Sequence, residues 1–493
     1  MLRRPAPLTE AALPSPRRAW LITWVVLAGA FCVSFTITIL SVSRPAIAKD
    51  LHADPSSLVW LISGPTLATA LVSATFGKLG DLRGHRRTYL FGVVGAMVFA
   101  LASAAAWDSL SLIGFRVIGA LVGAATAPSS MAIINRLFPP ERRSAALGYW
   151  SLVVAGGPVV GLVVGGPMVD AFGWRMIFLL QAPLMAAAAL AAFLIVPETP
   201  ARRGVRFDFA GQLVLGASVL GILMSIDRGR EWGWANPVVI GLLVGGLALL
   251  VVLVRVEGRA EDPLLPIQYF RRRTFSVPVA IQFFTNFGYM GGFILAPKLL
   301  DEVRGLSPGA ISLMLIPRPL VFAICGPIAG YFVPRLGTRL YAFFGGATIT
   351  ASLAILAMVS DDPVTFWVVL AFTISGIGMG SAQPAIAASV ANSVEDRDLG
   401  TAGATHQLMG MVGSSMGMNL LDTIQVSRAP TVGVTGSFHD AYLFGAIVSA
   451  VGMLLSFLLP GRTRVGGVPK PPTDRSVEHE HAEAVRAQLI ELP

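Results

Sequence analysis

Fourteen apolar segments, each about as long as a helix that crosses a bilayer, constrain this chain more than any other feature. They begin near Trp20, Leu58, Tyr89, Leu110, Ala145, Trp174, Phe209, Pro237, Phe275, Ala310, Tyr341, Thr365, Thr401 and Ala441. Hydrocarbon offers no partners to backbone N–H and C=O groups, so such segments must be helices that satisfy their own backbone. Composition agrees: 54% of the 493 residues are hydrophobic and 13% are charged, where a soluble chain carries about a quarter. The expected fold class is an all-α membrane protein.

The net charge is +9, but the basic residues are spread over many short loops, so no nucleic-acid partner is expected. An even number of spans puts both termini on one side. With the N-terminus inside, the inner segments hold 27 of the 37 Lys and Arg and the outer segments eight. That bias makes both termini cytoplasmic and the protein a multi-pass resident of the cell inner (plasma) membrane. The basic, Pro-rich start, residues 1–18, lacks a small-residue cleavage site after the first span, which is therefore retained. Cys32 and Cys325 both fall inside apolar stretches and read as buried small side chains. No metal site or cofactor is expected.

The segment 77–89 is a very short basic hairpin between two spans. Gly77, Gly80 and Gly84 permit a tight turn and close backbone approach. Asp81 can accept hydrogen bonds or pair with an arginine, and Arg83, Arg86 and Arg87 favour the inner side. A solvated basic turn is the alternative, and the spacing and flanking spans argue against it. Gly330-Tyr-Phe-Val-Pro-Arg335-Leu-Gly337-Thr-Arg339 repeats this hairpin 253 residues later, with Pro334 in place of the aspartate. Two halves with a recurring inner hairpin are the mark of a two-bundle carrier. The expected division is residues 1–18 as a cytoplasmic segment, 19–200 as an N-terminal six-helix bundle and 201–260 as two inserted transmembrane helices. Residues 261–460 form the C-terminal six-helix bundle, and 461–493 a cytoplasmic, disordered tail.

The pattern Gly-x-Leu-x-Asp-x-x-Gly-x-Arg-Arg at 77–87 resembles the loop between helices 2 and 3 of the major facilitator superfamily. Span 5 carries Gly157-Pro158-Val-Val-Gly161-Leu162-Val-Val-Gly165-Gly166, whose glycines four apart share one helix face. It resembles the antiporter signature of drug exporters, with Leu162 replacing the second proline. Trp174-Arg175-x-x-Phe178 with Pro183 also matches that pattern, and Asp262-Pro263-Leu264-Leu265-Pro266 resembles the central loop of fourteen-helix drug:proton antiporters. Gly410, Gly413, Ser414 and Gly417 give span 13 a counterpart face. The resemblance implies a major facilitator fold that exports small amphipathic or drug-like molecules by alternating access, as a monomer in contact with membrane lipid and coupled to protons. A lipid exporter, a facilitator without proton coupling and a non-transporting sensor are the rival readings.

Arg116 matches the span-4 arginine of these exporters, and a guanidinium within a span must face protein or water. In span 1 the family's aspartate and asparagine are Thr36 and Ser41 here, which puts the coupling residue in question. Ser34, Thr38 and Ser41 form one polar stripe in span 1, and Gln282, Asn286 and Tyr289 another in span 9. The resemblance makes both stripes line the central path. Arg318 is either a snorkelling outer-end arginine or a substrate contact. His406 is either a proton carrier or a structural histidine.

Overall fold

The computed structural model describes residues 14–34, 36–53, 58, 60–200, 209–257, 267–306, 308–359 and 364–460. Among these residues the chain is helical throughout, without a strand. In the first half run α1 (Pro16–Ser34), α2 (Thr36–Asp50), α3 (Trp60–Arg83), α4 (His85–Ala104), α5 (Ser109–Gly123), α6 (Thr126–Leu137), α7 (Pro140–Phe172) and α8 (Arg175–Ile195). There follow α9 (Phe209–Trp232), α10 (Pro237–Glu257) and the short α11 (Ile267–Phe270). The second half holds α12 (Arg273–Arg304), α13 (Pro308–Leu315), α14 (Pro317–Leu336), α15 (Thr338–Ala357), α16 (Val364–Asn392) and α17 (Leu399–Leu455).

Eleven helical stretches are long and apolar enough to cross a membrane among the described residues. Fourteen spans fit the same helices. One stretch, Asp396–Leu458, contains two apolar segments and breaks at Gly433, whose φ of 79° no helix tolerates. The helices α3 and α9 occupy the remaining two segments.

Each half has its own core. Ile22, Leu27, Tyr89, Ile133 and Trp150 pack together in the first, and Phe287, Leu353, Phe372 and Tyr442 in the second. The buried Tyr89 hydroxyl donates to the Val26 carbonyl at 2.8 Å, tying α4 to α1. Many large apolar side chains point outward, among them Phe91, Val98, Leu190, Val244 and Ile447, as a lipid-facing belt requires. The helix α10 meets mainly α9, where the Ser218 hydroxyl donates to the Gly246 carbonyl at 2.7 Å. In turn α9 lays Leu215, Val219 and Leu223 against Ala70 and Ala74 of α3 and Leu408 of α17.

The internal repeat is present in the backbone. Gly84, between α3 and α4, has φ 100° and ψ 134°, and Gly337, between α14 and α15, has φ 95° and ψ 147°. Only glycine enters that region without strain. Both hairpins also touch the opposite half through a glycine. A Cβ on Gly77 would lie 2.5 Å from the Gly400 carbonyl oxygen, and one on Gly330 would lie 2.4 Å from that of Ser144.

Candidate functional site

At the hairpin end, Asp81 sits in the last turn of α3 with 1% of its surface exposed. Its carboxylate accepts from the Gly400 N–H at 3.0 Å, the Thr401 N–H at 2.9 Å and the Thr401 hydroxyl at 3.0 Å. These donors belong to the first turn of α17, whose free N–H groups and dipole favour an anion. Two further groups approach the same carboxylate, His85 Nε2 at 2.9 Å and an Arg136 guanidinium nitrogen at 3.8 Å.

The hairpin's arginines face the first half. Arg86 is buried, donates to the Phe193 carbonyl and lies over the Phe193 ring at 5.2 Å. Arg87 is exposed, 3.4 Å from Glu198. Glu198 also accepts from the Arg86 N–H at 3.2 Å, and the His85 N–H donates to the Thr199 hydroxyl at 2.7 Å. Sequence reasoning passed over Glu198 and Thr199. A carboxylate directly after span 6, with basic residues in the neighbouring loop, was the available signal.

A second contact between the halves was also missed. Arg143, buried at the start of α7, binds Asp396 at 2.8 Å and Asn392 Oδ1 at 3.1 Å, and its Nε donates to the Asn135 carbonyl at 2.9 Å. Tyr269 of α11 reaches the same turn, its hydroxyl donating to Asp398 at 2.9 Å and accepting from the Glu395 N–H at 3.3 Å. Burial, with Asp81 close by, holds the Asp398 carboxyl above the usual carboxylate range against the opposing hydrogen bond from Tyr269. The same burial pushes the Tyr269 hydroxyl up to about 12.

Beyond this closed end lies a cavity of about 320 Å³. Its walls are mainly apolar and aromatic, including Phe99, Phe115, Trp150 and Met185, with Gln407 and Met411 contributed by α17. Its wall on α4, residues 96–103, starts roughly 16 Å along the helix from the hairpin turn, so the cavity occupies the middle and far part of the bundle. Arg116 is its one charged lining residue among those described. The guanidinium carbon lies 5.8 Å from the Phe178 ring centre.

The other expected site residues fall elsewhere. Gln282 and Asn286 are buried against α17, where a Cβ on Gly410 would lie 2.9 Å from Gln282 Nε2 and 3.4 Å from Asn286 Nδ2. Arg318 is 2% exposed and does not snorkel. It donates to the Tyr289 carbonyl and is enclosed by Tyr289 at 3.4 Å and Phe293 at 4.5 Å, within the second half and outside the cavity lining. His406 is fully buried, its Nε2 3.3 Å from Gln383 Nε2, one residue from the cavity's Gln407. Gly157 and Gly161 of α7 are buried. The side chains of Thr36, Thr38 and Pro158, and the surroundings of Gly165, lie outside the described residues. On α17 the small-residue face packs on α12: a Cβ on Gly413 would meet the Phe283 carbonyl oxygen at 2.2 Å and one on Gly417 that of Phe287 at 2.1 Å.

Two helical halves, repeated hairpins that grip across the interface and a cavity between mid-membrane and one face define a membrane carrier. Comparison with known families agrees. The family profile of the Major Facilitator Superfamily matches residues 26–418, and the chain belongs to that family. It is 28% identical over 457 residues to the tetracenomycin C resistance and export protein of Streptomyces glaucescens, covering 92% of this chain and 84% of the relative. It is 30% identical over 479 residues to the puromycin resistance protein pur8 of Streptomyces alboniger, covering 92% and 94%. In fold it resembles the human organic anion transporter MFSD10, with a TM-score of 0.65 at 15% identity over 90% of this chain and 100% of that one. The protein is a multi-pass membrane transporter whose relatives are drug and antibiotic resistance exporters.

Proposed function

We propose that this transporter exports small amphipathic, drug-like molecules from the cytoplasm by alternating access, coupled to protons. The observation that carries the reading is the Asp81 carboxylate of one half capping the α17 helix of the other, with a cavity on the far side. With both termini cytoplasmic, this is the state closed to the cytoplasm in the inner membrane. Residues 19–200 and 261–460 rock as two bundles of a monomer around the cavity, flanked by the two helices of 201–260, while 1–18 and the tail stay cytoplasmic. Gly77, Asp81, Gly84, Arg86 and Arg87 form the inner gate. The face of Gly157, Pro158, Gly161 and Gly165 is a close helix contact. Thr36, Thr38 and Arg116 serve the cavity, and Gln282, Asn286, Arg318 and His406 support the second bundle's share of the path.

Resistance of an efflux-deficient bacterial host to a panel of aromatic antibiotics tests the proposal. Expression is expected to raise resistance to some members, and Arg116→Ala to abolish the gain. No gain for any member would refute export of such compounds.

One observation favours a facilitator without proton coupling: among the described residues no carboxylate lines the cavity. Vesicle transport with and without an imposed pH gradient separates the two readings. Thr36→Asp is expected to make transport more dependent on that gradient.

A further inference from the structure

The cavity's polar groups are few and mismatched. Four of its five hydroxyls are occupied within their own helices: Ser34 donates to the Ala30 carbonyl at 2.9 Å, Thr66 to Ile62 at 2.8 Å, Thr69 to Pro65 at 2.8 Å and Ser103 to Phe99 at 2.7 Å, while the buried Thr126 Oγ1 has no hydrogen-bond partner among the described residues. The four occupied hydroxyls have lone pairs, not donors, left for the space. The Gln181 amide nitrogen donates to the Cys32 carbonyl at 2.7 Å, while its Oε1 is buried without a partner. The buried Nε of Arg116 has no hydrogen-bond partner among the described residues either. No Asp or Glu lines the cavity among those residues.

A guanidinium stays charged in any protein, and inside a span it is normally paired. Here the apolar walls raise the strength of whatever interaction it makes while offering no anion. A carboxylate or phenolate entering the cavity would meet a planar fork of donors suited to it. A cation entering would meet like charge in a low-dielectric space. The volume, about 320 Å³, lies at the small end of the roughly 300–1,000 Å³ typical of small-molecule sites. The rings of Phe99, Phe115 and Trp150 suit a flat apolar body.

We infer that the cavity selects aromatic molecules carrying one acidic group, which Arg116 binds, with Gln181 Oε1 accepting from a hydroxyl when the molecule has one. The inference rests on the export reading, since it names the substrate class of that same cavity. The selecting charge is a property of the wall and is independent of whether protons drive the cycle.

The test uses the full chain purified in lipid nanodiscs and three probes of one shape: anthracene carboxylate, anthracene carboxamide and anthracenylmethylammonium. Binding is read by their fluorescence. The carboxylate is expected to bind at least about tenfold more tightly than the amide, the gain of one charge-assisted interaction, and the ammonium more weakly than both. Arg116→Gln is expected to erase the carboxylate's advantage and Arg116→Lys to keep part of it. A carboxylate that binds wild-type protein no more tightly than the amide overturns the inference without recourse to any variant. So does an advantage that persists in folded Arg116→Gln. Preference for the ammonium probe would overturn the acidic substrate class and leave export itself standing, whereas failure of the export reading shows separately, as no resistance to any antibiotic in cells.

Discussion

In the proposed cycle, Asp81 is the side chain best placed to bias the motion of the two halves. Its oxygens meet two backbone N–H groups and a hydroxyl of the opposite half, and they are almost wholly removed from water. Asp81→Asn removes the charge and one acceptor site, which costs about 1–3 kcal/mol of the contact. That is a shift of roughly 5–150-fold in the balance between the closed state and the open one that the proposed cycle requires. Transport is expected to slow markedly while membrane insertion stays normal, as measured by uptake into vesicles against protein content. Asp398, three residues from Thr401, supplies a pH signature. Its raised pKa means that its charged form is disfavoured in the folded state. Its contribution to stability is therefore greatest below the ordinary carboxylate range and is lost as pH rises through the raised value. In Asp398→Asn this component vanishes. The difference between the wild-type and variant melting temperatures is expected to change across that pH range, and a constant difference would refute the assignment. Of these residues Asp81 was legible from its glycine hairpin. Glu198, Arg143 and Asp396 were not, because the partner of each lies more than a hundred positions away in the chain. Nor was the burial of Arg318 legible, since its ring cage comes from α12 and α16 while it sits on α14.

At the scale of elements, glycine spacing carries the packing. Gly410, Gly413 and Gly417 recur at one helical face and let α17 touch the α12 backbone. A methyl at Gly413 has no room, and Gly413→Ala is expected to cost about 1–3 kcal/mol by overpacking. Gly114 of α5 has nothing within 4 Å of a built Cβ. Gly114→Ala is therefore the matched control, neutral or stabilising by up to ~1 kcal/mol through helix propensity. Thermal melting of the two variants in one detergent decides it: equal melting temperatures would show that the α12–α17 contact yields freely. The span-13 face could be read in advance because hydrocarbon-spanning helices leave few reasons for glycines four apart. The repeat of Gly84 at Gly337 was legible for the same kind of reason, a positive φ that only glycine fills easily. Helix edges were less legible. The chain stays helical beyond the apolar window at both ends of α12, and α17 stays helical through the polar stretch 427–440 on either side of its break at Gly433.

For the whole molecule, the two contacts between the halves converge on one short turn. Asp81 holds Gly400 and Thr401, Arg143 holds Asp396, and Tyr269 lies beneath, bonded to Glu395 and Asp398. Residues 395–401 therefore form a single grip held from three directions. Loss of one hold loosens the turn and weakens the remaining ones, so the effects of two losses should fall short of their sum. Spin labels at cysteines replacing Arg83 and Glu395, both exposed and on opposite halves, report the separation of the two sides once Cys32 and Cys325 are replaced by serine. Wild type is expected to show mainly the short distance. Asp81→Asn and Arg143→Gln should each populate a longer one, and the double variant should populate it more than either but less than two independent free-energy terms would give. Strict additivity would separate the contacts into independent latches. A short distance that persists in all three variants would mean that neither contact holds the halves together, and that the backbone approach of Gly77 to Gly400 and of Gly330 to Ser144 alone closes this end.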